Sequence, residues 1–427
     1  DYRWGFFPSV SLGWRPTEES FMEFYKEKIG DLKLRASYGI LGSQAIGTYD
    51  RFTVYDVYDN SYAYNNKTVS GAGFKLGLEN LTWEKTQTFN IGVDASFLQN
   101  SLTVTFDYFH KRTNDILMKP LISSVFGTEM PMANIGKMQN QGWDLSVNYR
   151  LKTGAFTHNF NFNLGDSWNK VLEFPGDEQI TQVEELSRII RVGVPLNSYY
   201  GYKMAGFFQS YDEIEASAIP VGAKVQPGDI KFVDRNDDGI IDSKDKFILG
   251  NAFPRYTFGF TYGLNWKGID FSMFWQGVGK RDMMLRGELI EPYHANYSYT
   301  IYKHQLDFWT PTNTEARWPR LAAPGSDSNR NNYGNGNGSD LFLLDGKYLR
   351  LKNLTIGYTL PKEWTKHLGM QKARLYINGQ NLLTFSNNSF IDPESSEFDS
   401  KMSTSGANSG RSYPTLRYFG FGVDIEF

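Results

Sequence analysis

The sequence has 427 residues, 16% of them aromatic, with 41 glycines against 16 prolines, and this balance favours strands and turns over helices. It contains no cysteine, which excludes disulfides, thiol nucleophiles and thiolate metal sites. The formal net charge of -3 gives no electrostatic reason to expect nucleic acid as a partner, and no apolar run approaches the roughly 18 residues that a membrane-spanning helix needs. A chain of this kind can cross a membrane only with strands.

Apolar and polar residues alternate repeatedly along the chain, and this alternation predicts strands because successive side chains of a strand point to opposite faces. In TFNIGVDASF, for example, Phe89, Ile91 and Val93 share one face, while Asn90 and Asp94 share the other. Most of the predicted strands reach the roughly 9 to 11 residues that cross a bilayer when tilted. We predict about eleven strands, near residues 4–14, 31–42, 86–98, 101–113, 141–152, 155–169, 254–266, 268–278, 346–360, 372–386 and 415–427.

The connections between the predicted strands alternate in length. Short turns or compact helical segments follow the odd-numbered strands, whereas long polar segments rich in Gly and Asn follow the even-numbered strands. An outer-membrane barrel has short turns at its periplasmic rim and long loops at its outer rim, while a soluble sandwich or propeller gives no reason for this segregation. We therefore predict an all-β fold, a transmembrane antiparallel β-barrel whose long extracellular loops lie near residues 43–85, 114–140, 170–253, 279–345 and 387–414.

The alternation also predicts which side chains contact lipid. Each predicted strand has one apolar, aromatic-ended face and one face of Asn, Thr, Ser, Asp and Gly. We therefore expect the apolar face to contact lipid and the polar face to contact water. We expect residues 1–427 to form one contiguous arc of antiparallel strands. Its lipid-facing side chains are predicted to include Leu102, Val104, Phe106, Tyr256, Phe258, Phe260, Phe419, Phe421, Val423 and Ile425.

The strand count and the first residues both suggest that the chain is part of something longer. Bacterial single-chain barrels have even numbers of strands, and an open sheet in lipid would leave backbone groups unpaired at both edges. The first residues, DYRWGFFPSVSLGW, contain no initiator Met, no basic segment and no apolar signal segment. We therefore interpret the sequence as a fragment or a processed piece, with the partner strands elsewhere.

Six blocks, in order and at compatible spacing, carry a family resemblance: LTWEKTQTFNIGVDASFLQNSLTVTFDYFHKRTNDIL, ANIGKMQNQGWDLSVNY, GDIKFVDRNDDGIIDSKDKFILGNAFPRYTFGF, FWTPTNTEARWPRL, DGKYLRLKNLTIGYTLP and ARLYINGQNLLTF. They resemble the C-terminal half of SusC/RagA-type TonB-dependent transporters of Bacteroidetes. The resemblance runs from WGFFPSVSLGW to the final residue. It implies an integral protein of the bacterial outer membrane, built as a plugged barrel of roughly 22 strands. The plug and the earlier strands would then be absent from this sequence.

The resemblance also implies a function and partners. The expected function is TonB-dependent import of oligosaccharides or oligopeptides, without enzymatic activity. The expected partners are a SusD-like surface lipoprotein that closes the barrel mouth, the TonB complex through the missing N-terminal part, and outer-membrane lipid. In such barrels a last strand that ends on an aromatic residue is the signal read by the insertion machinery, and Phe427 matches it. The alternative is that Phe427 is an interfacial anchor in the aromatic girdle.

The segment DRNDDGIIDSKD has the spacing of an EF-hand calcium loop. Oxygen ligands at alternate positions wrap around one cation, and Gly239 permits the sharp turn. The predicted ligands are Asp234, Asn236, Asp238, the Ile240 carbonyl, Asp242 and Asp245. An Asp replaces the usual bidentate Glu at the last position, and flanking helices are not evident. We expect calcium with a structural role, and the alternative is an Asp/Asn-rich turn without an ion.

No catalytic motif is evident in the sequence. The five histidines, His110, His158, His294, His304 and His367, form no metal-binding pair, and no two carboxylates are recognisably paired for glycoside hydrolysis. GNGNGSD (334–340) has no following helix and is interpreted as a loop. Aromatic residues of the outer loops would either stack on sugars or pack within the loops; they include Trp309, Trp318 and Tyr333. Two alternative functions remain: an outer-membrane porin or hydrolase barrel, and a secreted carbohydrate-binding β-domain.

Overall fold

The structure is a computed structural model that describes residues 4–44, 47, 51–78, 81–120, 125, 130–176, 178–183, 186–294, 300–334, 336–367, 369–394, 407–408 and 413–427. Its largest element is one sheet of eleven strands. The strands are β1 (Ser9–Trp14), β2 (Gly30–Ser43), β3 (Glu84–Phe97), β4 (Leu102–Met118), β5 (Ala133–Thr153), β6 (Phe156–Glu173), β7 (Arg255–Trp266), β8 (Ile269–Lys280), β9 (Tyr348–Thr359), β10 (Lys372–Ser386) and β11 (Tyr418–Glu426).

The strands follow one another in the sheet in the same order as in the chain, and every neighbouring pair is antiparallel. The sheet is therefore an up-and-down meander. Each of its eleven strands overlaps one strand that was predicted from the alternation. Within the described residues, β1 pairs in this sheet only with β2, and β11 only with β10.

The register places apolar side chains in continuous rows on one face of the sheet. One row runs across five consecutive strands through Leu34, Val93, Phe106, Leu145 and Leu164. The side chains predicted to face lipid are not buried, and two of those on β11, Phe419 and Phe421, are 81% and 88% exposed. This face has the composition that a bilayer requires of the outer wall of a barrel.

The connections at one rim of the sheet are short, as predicted. Tight turns at residues 98–101, 154–155 and 267–268 join β3 to β4, β5 to β6, and β7 to β8. Compact helical segments make the other two connections at this rim, with helix α1 (Glu23–Lys28) between β1 and β2 and helix α4 (Lys362–Lys366) between β9 and β10. We call this edge of the sheet the short-turn rim.

The long connections at the opposite rim contain elements of their own. Helices α2 (Tyr211–Glu215) and α3 (Asp327–Tyr333) lie there. None of the helices in the described ranges is both long and apolar enough to cross a membrane. The short strands in the long connections are Val54–Tyr64, Lys67–Lys75, Glu178–Val183, Leu186–Arg191, Ser198–Gly201, Met204–Phe207, Ile219–Pro220, Ile230–Phe232, Ile240–Ile241, Phe247–Gly250, Asp282–Leu285, Leu343–Asp345 and Ala407–Asn408. Among the described residues, the 3-10 helices of the long connections are Ser243–Asp245, Gly287–Leu289, Lys303–Gln305 and Asp340–Phe342, while Pro16–Glu18 and Ser20–Met22 lie in the connection between β1 and β2.

Two of the long connections pack together around a hydrophobic core. Side chains from the β6–β7 connection and the β8–β9 connection form two clusters, which we call the loop core. The first cluster contains Leu186, Tyr199, Met283, Met284, Leu285, Leu289, Ile290, Trp318, Tyr333, Phe342 and Leu344. The second contains Tyr202, Phe207, Ile230, Phe232, Ile241, Trp309 and Ala316. The sequence predicted long polar loops here and did not predict this core, because the apolar residues that build it follow no regular period.

Candidate functional site

The polar face of the sheet carries an ion-pair cluster centred on Arg35 of β2. Its Nε donates to Asp94 Oδ2 at 2.7 Å, and its Nη2 donates to Asp94 Oδ1 at 3.0 Å and to Asp107 Oδ2 at 3.0 Å. Two carboxylates thus share one planar guanidinium, whose fixed fork of donors suits bidentate binding of carboxylates. The cluster links β2, β3 and β4 on the face opposite the apolar rows.

A second cluster of the same kind is centred on Arg374 of β10. Its Nε and Nη2 donate to the two oxygens of Asp270 at 2.9 and 2.7 Å, and its Nη1 donates to Asp424 Oδ2 at 3.0 Å. Asp270 lies on β8 and Asp424 on β11, so the cluster connects strands on both sides of β10 and reaches across β9.

Both clusters span a glycine. Gly92 lies between Arg35 and Asp107 in the register, and a Cβ atom there would lie 2.6 Å from Arg35 Nη2 and 2.4 Å from Asp107 Oδ1. Gly357 of β9 has the corresponding position in the second cluster, since a Cβ there would lie 2.7 Å from Arg374 Nε. These glycines are needed for the close approach of charged side chains across a strand.

A groove of about 520 Å³ runs along the polar face of the sheet, across β4 to β8. Its polar side chains present carboxylate, amide and hydroxyl groups; they include Asp107, Asp144, Asn163, Thr257 and Gln276. Such groups can exchange hydrogen bonds with the hydroxyls of sugars and with the amides of peptides. The sequence did not identify this groove, because the common location of its residues depends on the strand register.

A smaller cavity of about 230 Å³ lies where β6, β7 and β8 meet the long connections. Trp168 and Arg255 line it, and the guanidinium carbon of Arg255 lies 5.0 Å from the centre of the Trp168 ring. Arg255 Nη2 also donates to Asp166 Oδ2 at 2.6 Å, and the Asp166 side chain is only 3% exposed. The cation is therefore held between a buried carboxylate and an aromatic face, which makes this part of the cavity wall rigid.

Arg350 of β9 attaches the segment after β10 to the polar face of the sheet. The Arg350 side chain is 4% exposed, and its Nη2 donates to Asp392 Oδ1 at 2.6 Å while its Nη1 donates to Glu394. Asp392 Oδ2 accepts a hydrogen bond from the backbone N–H of Thr415 at 2.8 Å. Asp392 thereby joins the two ends of the last long connection, one near residue 392 and one at Thr415. We call this set of contacts the Arg350 clamp.

A buried polar network joins α3 to the β6–β7 connection. Asp229 is fully buried and accepts hydrogen bonds from Gln226 N at 2.8 Å, Ser328 Oγ at 2.9 Å and Asn332 Nδ2 at 3.1 Å. Asn332 Oδ1 in turn accepts from Ile230 N at 2.8 Å. Burial raises the pKa of the Asp229 carboxyl above its usual range, and the three donors oppose that shift. The network fixes α3 against the loop core.

The six residues predicted to bind calcium lie together in one closed loop, and hydrogen bonds occupy most of their oxygens. Asp245 is fully buried and accepts from Arg235 N at 2.9 Å and Asp242 N at 2.8 Å. Asp234 Oδ2 accepts from Gly239 N at 2.8 Å, whereas Asp234 Oδ1 is enclosed and has no hydrogen-bond partner. Gly239 has a φ of 81°, in accord with the predicted sharp turn.

The loop offers a cation one enclosed, unpaired oxygen and several exposed ones. Asn236 Nδ2 donates to Asp238 Oδ2 at 2.8 Å, so the predicted ligands at the third and fifth positions are already adjacent. Among the residues that the structure describes, no group of three or more His, Cys, Asp or Glu side chains is arranged to hold a metal ion. Asp245 holds the loop closed through backbone amides, a role that the sequence pattern alone did not indicate.

The aromatic residues singled out in the outer loops are buried in the loop core. Trp318 is 1% exposed, Tyr333 5% and Trp309 7%, so they pack within the loops and do not offer open faces for sugar stacking. The Gly/Asn segment is also packed, since Ser339 is fully buried and Tyr202 N donates to Gly338 O at 2.9 Å.

His304 lies inside an aromatic stack that joins two long connections. Its ring is parallel to Phe390 with the ring centres 3.8 Å apart, and it meets the edge of Trp318 at 5.6 Å. His304 Nε2 donates to Leu289 O at 2.9 Å. Burial lowers the pKa of the His304 imidazole, and the positive charge of Arg317 acts in the same direction. The neutral ring is therefore the form that the folded loops favour.

We predict that acidification loosens this junction. A histidine whose pKa is lower in the folded state contributes stability above its unfolded pKa of about 6.5, and that contribution is lost as the pH falls below this value. Hydrogen exchange, corrected for intrinsic rates, should show less protection of residues 387–391 at pH 5 than at pH 7.5. His304→Phe keeps the aromatic stack without the titration, so its protection should vary less with pH. Equal pH dependence in the two proteins would contradict the prediction.

Comparison with known proteins identifies the family. A family model described as "TonB dependent receptor-like, beta-barrel" matches residues 1–382. The chain belongs to this family. TonB-dependent receptors of this kind are integral proteins of the outer membrane, and we assign the chain to that membrane. The secreted β-domain considered from the sequence is therefore excluded, and the SusC/RagA resemblance is confirmed.

Several relatives match the TonB-dependent receptor chain over its whole length. TonB-dependent receptor P26 of Formosa agariphila is 33% identical over 447 residues, which cover 100% of this chain and 43% of the relative. TonB-dependent receptor SusC of Bacteroides thetaiotaomicron is 30% identical over 445 residues, covering 100% of this chain and 40% of SusC. The RagAB peptide transporter structure has a TM-score of 0.77 at 22% identity, covering 99% of this chain and 43% of that one. The chain thus spans about two fifths of the length of each of these three relatives.

Proposed function

We propose that the whole protein is a TonB-dependent importer of oligosaccharides or oligopeptides across the outer membrane. The observation that supports this most is the family match over residues 1–382. The sheet in this region has one apolar face and one polar face. The apolar face suits lipid, and the polar face with its groove suits a solute that exchanges hydrogen bonds with carboxylates and amides. SusC-type relatives at 30% identity support this transport class over a passive pore or a hydrolase barrel.

In this proposal the eleven strands are the C-terminal part of a larger barrel of the plugged type. Pairing β1 and β11 with further strands would satisfy the backbone groups that are open at the two edges of the sheet. The TonB complex would act through the N-terminal part of the protein. A SusD-like lipoprotein would close the mouth, where the loop core presents a folded surface.

Uptake by whole cells tests the proposed transport. Size-graded fluorescent oligosaccharides and oligopeptides are offered to cells with the intact gene, to a deletion strain and to a strain without TonB. We expect uptake of one of the two solute classes to fall to background in both mutants. Uptake that persists without TonB but requires the gene would indicate a porin, and product formation outside the cell would indicate a hydrolase.

The lipoprotein partner is tested by purification from the native membrane. Gentle detergent at low salt should recover the barrel together with a SusD-like lipoprotein, because electrostatic contacts between exposed charges weaken as salt increases. Quantitative recovery of the barrel alone under these conditions would contradict the partnership and would leave the transport experiment unaffected.

We also propose that the loop 234–245 binds calcium with a structural role. The support is the spacing of its oxygen ligands, together with the enclosed Oδ1 of Asp234 that has no hydrogen-bond partner. Extracellular calcium modules bind with dissociation constants of about 10⁻⁴ to 10⁻³ M, which is sufficient at millimolar calcium outside the cell. Six or more oxygens at about 2.3 to 2.6 Å would be required, so some side chains would exchange hydrogen bonds for the ion.

Replacing two ligands tests the calcium proposal. Asp234→Ala combined with Asp238→Ala should abolish calcium-dependent protection of residues 230–246 from proteolysis, because two of the predicted carboxylate ligands are lost. Barrel insertion should be unchanged, since the strands of the sheet do not depend on this loop. Asp237→Asn is the matched control, because it removes one nearby charge outside the predicted ligand positions and Asn tolerates the φ of 57° at this residue. Equal protection with calcium and with a chelator in the parent protein would support the turn without an ion.

A further inference from the structure

The connection between β1 and β2 exposes large apolar side chains at the short-turn rim. This connection, residues 15–29, contains two 3-10 turns and α1 (Glu23–Lys28), and we call it the rim turn. Phe21 is 66% exposed, Phe24 59% and Ile29 38%. An exposed apolar patch of this kind usually marks a surface that contacts another molecule or a membrane.

The apolar residues of the rim turn recur at helical spacing, with Phe24 and Tyr25 inside α1, Phe21 in the preceding 3-10 turn and Ile29 directly after the helix. Phe21, Phe24, Tyr25 and Ile29 have the i, i+3, i+4, i+8 spacing of an amphipathic helix. The helix itself has only six residues, too few to be stable in water without packing of its apolar side. The segment therefore needs a surface or a solvent for that side.

The apolar side of the rim turn continues the apolar face of the sheet. Trp14, the last residue of β1, pairs in the register with Leu34 and so lies in the apolar row that crosses to β6. The Phe21 ring packs against the Trp14 ring with the centres 6.5 Å apart. Because the sheet face contacts lipid in the outer membrane, Phe21 extends that contact beyond the end of the strand.

The polar side of the rim turn is tied to the other face of the sheet. Lys26 Nζ donates to Glu18 Oε2 at 2.5 Å, and Arg15 lies 3.1 Å from Glu18 Oε1. Arg15 and Thr17 also bind the carboxylate of Asp31, which lies on the polar face of β2. These contacts tie residues 15–18 to the polar face of β2 and leave Phe21, Phe24 and Ile29 exposed. Glu19, at the edge of this apolar side, accepts a hydrogen bond from Trp14 Nε1 at 3.3 Å.

We propose that the rim turn is a membrane-interface anchor, in which Phe21, Phe24 and Ile29 insert among the phospholipids of the leaflet at the short-turn rim. Aromatic side chains are favoured at the boundary between headgroups and acyl chains. Lys28, exposed at the end of α1, can place its apolar stem in this boundary and its charge at the lipid phosphates. The proposal goes beyond the proposed transport and does not depend on the substrate.

Spin labelling of the full-length protein in vesicles tests the anchor. Residues 1–427 contain no cysteine, so single-cysteine variants need changes only outside this region. A nitroxide is attached at Phe21→Cys, and at Glu23→Cys as the matched control on the charged side of the same turn. In phosphatidylethanolamine and phosphatidylglycerol vesicles, collisions with oxygen should exceed those with a water-soluble nickel chelate at position 21. At position 23, collisions with the nickel chelate should exceed those with oxygen.

Two results would overturn the proposal. An excess of nickel over oxygen collisions at position 21, as at position 23, would mean that the apolar side faces water. Low collision rates with both reagents at position 21 would mean that another part of the protein covers it. Phe24→Cys repeats the measurement if Phe21→Cys fails to insert, because no ring contact joins Phe24 to Trp14 in the described residues.

Discussion

Replacing Arg350 with methionine should release the last long connection from the sheet while the strands stay assembled. Arg350 binds Asp392 and Glu394, and its Nε donates to Thr384 Oγ1 at 2.9 Å. Removing one partner of a buried ion pair costs about 3–5 kcal/mol, because the remaining charge is left without compensation. Lys352 Nζ still donates to Glu394 at 3.0 Å, so we expect about 3 kcal/mol, the lower end of that range.

Hydrogen exchange of the full-length protein measures this release. A loss of about 3 kcal/mol corresponds to a roughly hundredfold increase in local opening, since each 1.4 kcal/mol is a factor of ten. The increase should be confined to residues 387–394 and 413–416, because Asp392 joins the two ends of the connection. The side-chain volume of methionine keeps the contacts of the arginine stem, so the measured effect reflects the lost charge.

Lys352→Met is the control for the Arg350 clamp. The Lys352 side chain is 24% exposed and contacts the same Glu394, but Arg350 would still hold both carboxylates. Ion pairs with access to water contribute at most about 1 kcal/mol, so the opening should increase no more than about fivefold. Equal effects of the two substitutions would show that the connection is held by packing and not by the clamp.

The sequence was sufficient to predict the positions of the strands and the alternation of faces along their regular stretches, because a period of two reports strand geometry directly. TFNIGVDASF, for example, predicted that Phe89 and Ile91 face away from Asn90, and the register of β3 agrees. The length alternation of the connections likewise identified the short-turn rim. Both features can be found by reading along the chain, because neither depends on which distant segments pair with each other.

The ion-pair clusters and the loop core could not be predicted in this way. Arg35 and Asp107 are 72 residues apart, and they meet only because two strand pairings set their register across Gly92. The loop core combines residues from two connections that β7 and β8 separate, such as Tyr202 and Trp309. Contacts of this kind require the pairing of distant segments, about which the alternation carries no information.

The calcium loop lies between these two cases. Its spacing predicted which residues lie together, and the structure brings Asp234, Asn236 and Asp238 into one closed loop. The spacing did not predict that the Asp245 carboxylate accepts two backbone amides, because those bonds depend on the 3-10 turn at Ser243–Asp245. Whether an ion binds depends on a balance between carboxylate–amide and carboxylate–calcium contacts, which the proposed substitutions measure.

Gly92→Ala should destabilise the sheet, even though alanine is ordinarily preferred to glycine within a strand. The new Cβ would lie 2.4 Å from Asp107 Oδ1 and 2.6 Å from Arg35 Nη2, where no heavy atom fits. Either the ion pair separates or β3 shifts, and such overpacking costs about 1–3 kcal/mol. The urea midpoint of the refolded full-length barrel, read from its heat-modifiable mobility in gels, should fall accordingly.

Gly263→Ala on the same face of the sheet is the matched control for Gly92→Ala. Its Cβ would meet Asn159 Cβ at 3.8 Å, an ordinary contact, so the urea midpoint should remain unchanged or rise slightly. A double-mutant cycle then identifies the cause of the Gly92 effect. If the alanine acts by separating the Arg35 cluster, it should cost much less in an Arg35→Met background. Methionine removes the guanidinium clash, and without its Arg35 partner the Asp107 carboxylate can rotate away from the new Cβ. Full additivity of the two substitutions would mean that Gly92 is required for backbone reasons and that the cluster does not determine the residue at this position.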